Sequence, residues 1–126
     1  MKFKVSGNTK EFDTLSIYGR IKTDAITVET LRGNIAEKNK NRRRIWEITI
    51  NPTSIKSDAD LQFLEDFFYS SGREISLDGT NWRRVALSAG DFPVDFHDGI
   101  KSMPVIKFNL ISATPDPSPL VGETYI

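Results

Sequence analysis

The chain has 126 residues, with 17 Lys plus Arg against 17 Asp plus Glu, one His and no Cys. That length suits one domain able to bury a core without covalent staples. The missing Cys excludes a disulfide framework, a thiolate nucleophile and a Cys-based zinc site, and the balanced charge, with a pI of about 6.6, excludes a whole-chain bias toward polyanions.

In chain order, the first element is "FKVSG", which alternates and stops at Gly7, the pattern of a short strand. Residues 14–33 are rich in Thr, Ile and Val with breaks at Gly19 and Asp24, which predicts two strands over 15–20 and 25–31. Residues 34–44, "NIAEKNKNRRR", are polar and without period, and read as a loop. "RIWEITI" then alternates, with Trp46, Ile48 and Ile50 on one face, until Asn51 and Pro52 stop it.

"SDADLQFLEDFFYSSG" carries the one helical pattern, predicted over about residues 58–71. Ser57 is the N-cap, with Asp60 in the place of a capping-box Glu, and Asp58 and Asp60 suit the positive end of the helix dipole. Leu61, Leu64 and Phe68 fall on one face with Phe67 beside them, and Gly72 supplies a left-handed stop.

"REISLDGTNWRRVAL" reads as a hairpin turning at Asp78 and Gly79, with Trp82 on the opposite parity from Val85 and Leu87. A short edge strand is predicted over 94–96 and a strong final strand over 103–113, with Ile106, Phe108, Leu110 and Ser112 on one side. The fold class is therefore mainly β, a β-sandwich or small barrel with one α-helix. One domain is expected over residues 1–113, followed by a Pro-rich extended C-terminal arm over 114–126. No apolar stretch approaches a membrane span, and residues 1–15 show no apolar leader core, so neither a membrane segment nor a signal peptide is expected.

The candidate sites start with the basic run. Lys38, Lys40, Arg42, Arg43 and Arg44 put five cations in seven positions ahead of Trp46. As a nucleic-acid patch this run would pair arginines with indole stacking. Glu37 and Glu47 flank it, however, and strand parity splits its charges across two faces. The stronger reading is a loop that meets a neighbouring protein subunit. His97 lies near Asp91, Asp95 and Asp98, but the spacing matches no metal-ligand pattern, and the group reads as a polar turn. Glu65 and Asp66 are adjacent on the helix and diverge by about 100°, the wrong geometry for paired acid–base work. No catalytic motif is present, so neither an enzyme activity nor a cofactor is expected. The aromatics Phe63, Phe67, Phe68 and Tyr69 cover more than one helix face, which marks Phe63 and Phe67 as candidates for cover by a partner.

The order "RRRIWEITINP", "SDADLQFLEDFFYSSGREISL", "DGTNWRRVAL" resembles the small tail-tip proteins of long-tailed bacteriophages, the lambda-type minor tail protein family and the N-terminal domain of distal tail proteins. The resemblance spans about residues 42–87 and rests on Trp46, Phe67, Phe68, Gly72, Asp78 and Gly79. It implies a structural virion protein, made in the host bacterial cytoplasm, that forms a homo-oligomeric ring, usually a hexamer. Such a ring joins the tail tube to the baseplate or tip fibres. Partners would be other copies and other tail proteins, with subunit contacts at the basic run, at Phe63 and Phe67, and along an arm bearing Pro115, Pro117, Pro119 and Tyr125. The rival reading is a β-sandwich module that binds carbohydrate or nucleic acid through Trp46, Trp82 and the three arginines.

Overall fold

A computed structural model describes residues 1–90, 92, 95–97, 100–102 and 105–120, with backbone alone for 24–28, 35–40, 89, 95–97 and 100–102. The strands are β1 (Lys2–Val5), β2 (Asn8–Glu11), β3 (Thr14–Glu29), β4 (Ile35–Ile50), β5 (Arg73–Ser76), β6 (Arg83–Ala89), β7 (Asp95–His97), β8 (Ile100–Ser102) and β9 (Ile106–Ser112), and the helix is α1 (Asp58–Tyr69). Seven strands form one antiparallel sheet in the order β2-β1-β5-β6-β9-β4-β3, and β7 and β8 pair separately. The expected mainly-β class with a single helix holds. The sheet does not close into a barrel; among the described residues its apolar face is covered by α1.

The core follows from strand parity. Trp46, Ile48 and Ile50 of β4 sit opposite Leu110, Phe108 and Ile106 of β9, and all six are buried. Phe3 and Ile75 form the matching pair between β1 and β5. Onto this face α1 lays Leu61, Phe63, Leu64 and Phe67. The Phe67 ring stands edge-on to Phe3 (centroids 5.3 Å apart) and to Phe108 (5.2 Å), the geometry that aligns ring edges with ring faces. Phe68, placed on the core face by its spacing, is only half-buried beside Phe92 and Tyr69.

The helix starts as its sequence requires: Ser57 Oγ accepts from the Asp60 N–H at 3.3 Å. The Asp60 carboxylate accepts from Lys56 N at 3.0 Å and pairs with Lys10 Nζ at 2.6 Å, tying β2 to α1. The far end differs from expectation. The helix ends at Tyr69, short of residue 71, with Ser70 as C-cap, and Gly72 (φ 75°) serves the turn into β5 instead. The last carbonyls are satisfied by a side chain. Arg73 donates through Nε to Phe67 O and through Nη2 to Phe68 O at 2.6 Å, a cation set against the negative end of the helix dipole.

Two further elements depart from the sequence reading. β2 follows β1 through Ser6 (φ 50°) and Gly7 (φ 79°), two left-handed residues in succession as a tight primed turn demands. The two short strands and polar loop expected over 15–44 are instead one long hairpin. β3 and β4, 16 residues each, pair from Thr14↔Ile50 to Glu29↔Ile35 around a turn in which Gly33 N donates to Thr30 O at 2.9 Å. One side of the hairpin is propped by β9, which bonds β4 only from Ile45 to Ile50. Ahead of that, residues 35–41 of β4 have β3 as their only strand neighbour among the described residues.

Candidate functional site

The basic run lies in β4, and a bulge decides where its side chains go. Between Lys22↔Arg43 and Asp24↔Lys40, β4 spends one residue more than β3, and Asn41 takes the left-handed conformation (φ 54°). A bulge of this kind reverses the facing of every residue beyond it. On the near side Arg44 shares the core face with Trp46 and is buried completely. Arg42 is exposed and Arg43 half-buried. Lys38 and Lys40 are placed in β4 by their backbone, and their side chains lie outside the described residues.

A buried guanidinium needs acceptors, because an unmatched one retains its full desolvation penalty. Here one comes from the segment after β9, and the last residue of β9 satisfies the backbone beside it. Arg44 Nη1 donates to Ser118 O at 3.2 Å, and the Arg44 N–H donates to Ser112 Oγ at 3.0 Å. Arg43 Nη1 reaches Ser112 O at 3.0 Å. The backbone N–H of Asp116 donates to Arg42 O at 2.7 Å, one ladder-like bond on the β4 edge just past the end of β9. Arg83 from β6 completes the cradle. Its guanidinium lies over the Trp46 ring, 5.5 Å from the centroid, and its Nη1 sits 3.3 Å from Asp116 Oδ2.

Asp116 is also held from within its own segment. Ser118 donates to its Oδ1 through N at 3.0 Å and through Oγ at 2.5 Å, an Asx-type turn. Burial pushes the Asp116 carboxyl up, but the Ser118 hydrogen bonds, followed by the charges of Arg83 and Arg44, outweigh it and hold the group below the usual carboxylate range.

Of the predicted interface positions, the structure brings Arg42, Arg43 and Arg44 together with the Pro-rich segment of the same chain. Pro115, Pro117 and Pro119 flank the anchored Asp116 and Ser118 and are exposed. Phe63 and Phe67 lie in the core under α1, unlike the partner-covered placement expected from their spacing, while Tyr69 is exposed. Tyr125 lies outside the described residues. Trp46 is buried, and Trp82 is half-buried on the opposite face of the sheet with Lys4 Nζ 4.3 Å from its ring centroid. The side chains around His97 lie outside the described residues, among which no cluster of His, Cys, Asp or Glu could hold a metal ion.

Sequence reasoning missed Arg83, Asp116 and Ser118 as one site. The Asp-x-Ser spacing of 116–118 is a turn signal that pointed to local order; the long-range pairing to Arg83 had no local signal. Comparison with protein-family models, curated proteins and solved structures finds no match. Among the described residues no helix is long and apolar enough to cross a membrane.

Proposed function

We propose that this chain is a structural subunit of a phage-type tail, assembling into a ring, expected to be a hexamer, that joins the tail tube to the tip or its fibres. The observation that carries the reading is the β3–β4 hairpin. Its residues 35–41 lie ahead of the β9 pairing, span roughly 20 Å of extended chain, and have β3 as their only strand neighbour among the described residues. Exposed edges of this kind recruit strands from other chains unless they are blunted, and strand addition is a common way for subunits to join. Leu31 at the tip and Leu15 and Tyr18 near the base are exposed, adding apolar area that a neighbour would cover. Such a role requires no reaction centre. The rival ligand-binding module is weakened by the burial of Trp46, which removes one of its two stacking surfaces.

The test is solution mass by light scattering at several protein and salt concentrations, for the full chain and for a variant with residues 24–40 replaced by a two-residue turn. A mass near six times 14.2 kDa that collapses on shortening supports the reading. A strict monomer that also fails to form rings when mixed with tail-tube ends overturns it.

A further inference from the structure

The cradle formed by Arg42 O and the Arg44 and Arg83 guanidinium groups holds Asp116 and Ser118 of the same chain. We propose that in the assembled protein the same cradle takes residues 115–118 of a second copy, so that the seating seen here is the closed form of an arm exchange. This rests on the reading that the chain self-associates.

Three observations carry it. The hold includes a backbone bond from Asp116 N, a guanidinium bond to Ser118 O and an ion pair to Asp116 Oδ2, while Pro115, Pro117, Pro119 and Leu120 stay exposed. No apolar side chain of the segment is buried; releasing it withdraws the Ser118 carbonyl from the buried Arg44, an acceptor that the incoming copy would restore.

The recognised shape travels with the segment. Ser118 folds back on Asp116 through bonds wholly inside 116–118, so the carboxylate is presented the same way whichever copy supplies it. Pre-organisation of this kind lowers the ordering cost of docking.

Prolines at 115, 117 and 119 leave only Asp116 and Ser118 with N–H groups, and Ser118 spends its own on Asp116. The segment therefore makes one backbone bond at one register and cannot zip on along β4. Contacts in cis and in trans are the same set, so exchange costs the opening of the bend at 113–114 plus association, the usual economy of a swapped element. Ala113 is the hinge side, held by its N–H to Arg84 O at 3.0 Å.

The experiment uses two full-length variants carrying different mass tags. Asp116→Arg repels its own arm from Arg83 and Arg44 but keeps an intact cradle. Arg83→Glu damages its cradle but keeps an intact arm. Native mass spectrometry is expected to show a hetero-complex in the mixture that exceeds self-complex of either variant alone, and the double variant Asp116→Arg with Arg83→Glu, its charges again complementary, is expected to recover the self-association of the wild type. A mixture with no hetero-complex, while the wild type still oligomerises, overturns the exchange and spares the ring reading. Loss of both overturns both. Should Arg83→Glu fail to fold, the synthetic peptide TPDPSPL is titrated onto the Asp116→Arg chain. Saturable binding that falls roughly tenfold with Asn in place of Asp is expected, and no binding overturns the proposal.

Discussion

Arg83 joins Trp46 to Asp116: its guanidinium sits 5.5 Å from the indole centroid and 3.3 Å from the Asp116 carboxylate. One side chain thus links the edge of the core to the segment that follows the last strand. Replacing it with Met keeps the stem but removes both the cation over the ring and the ion pair. The expected loss is about 1–2 kcal/mol, the range for a partly desolvated cation–π contact, measured by denaturant unfolding. Trp46 emission is expected to shift in the same variant and not in Arg84→Met.

The two neighbouring phenylalanines of α1 should separate cleanly. Phe67→Ala removes a ring packed on Phe3 and Phe108 and is expected to destabilise by about 3–5 kcal/mol. Phe68→Ala, half-exposed, is expected to lose less than half of that. Equal losses by chemical denaturation would mean the helix is rotated from the placement described here.

Arg73→Met leaves the carbonyls of Phe67 and Phe68 without their guanidinium donor. The expected cost is about 1–2 kcal/mol, the worth of charge-assisted bonds at a helix C-terminus. Hydrogen exchange at the last turn of α1 should accelerate, while exchange in β4 and β9 should not.

Acid should release the C-terminal segment. The Asp116 carboxyl lies below its ordinary value in the folded chain, burial opposing but hydrogen bonds from Ser118 and the charges of Arg83 and Arg44 prevailing. A depressed carboxylate contributes stability that is present above its unfolded value, about 3.9, and is lost as pH falls through the folded value. Asp60, lowered chiefly by its bond from Lys10, and Asp78, lowered chiefly by the Asn81 and Thr80 N–H groups, act with the same sign. Stability measured from pH 6 downward should therefore fall below about pH 4, and Asp116→Asn should flatten part of that slope and leave the rest. An unchanged slope would remove Asp116 from the account.

Much of the core was legible because one face of each strand is buried. The alternation of Trp46, Ile48 and Ile50, and of Ile106, Phe108 and Leu110, declares its inner side without further help. The helix start was legible because Ser57 and the acids after it meet a local need of the backbone. The hairpin was not, and the reason is physical. A two-stranded ribbon that projects past its sheet pairs with one neighbour alone, so nothing imposes an alternation on residues 35–41. The bulge at Asn41 also resets what alternation there is ahead of Arg42, whereas parity alone already set Arg44 on the face of Trp46. The cradle was illegible for a different reason: Arg83 and Asp116 are 33 positions apart and meet only because β6 and β9 are neighbours. The Pro-rich composition suggested a free arm, but it does not reveal that a buried guanidinium upstream needs the carbonyl of Ser118.

The left-handed Asn41 has an evolutionary consequence. It offsets the phase of the outer ribbon by one residue from that of the inner strand. Between residues 42 and 46, an inserted or deleted residue would set the run out of register with its β9 partners Leu110 and Phe108 unless a bulge absorbed it. Beyond Asn41, matched pairs of residues can be added to or removed from both arms without disturbing the packing below. Lineages carrying this fold are thus free to retune the reach and sequence of the projecting ribbon while the body stays fixed. Variation in hairpin length among descendants should accordingly come in steps of two, one residue on each arm.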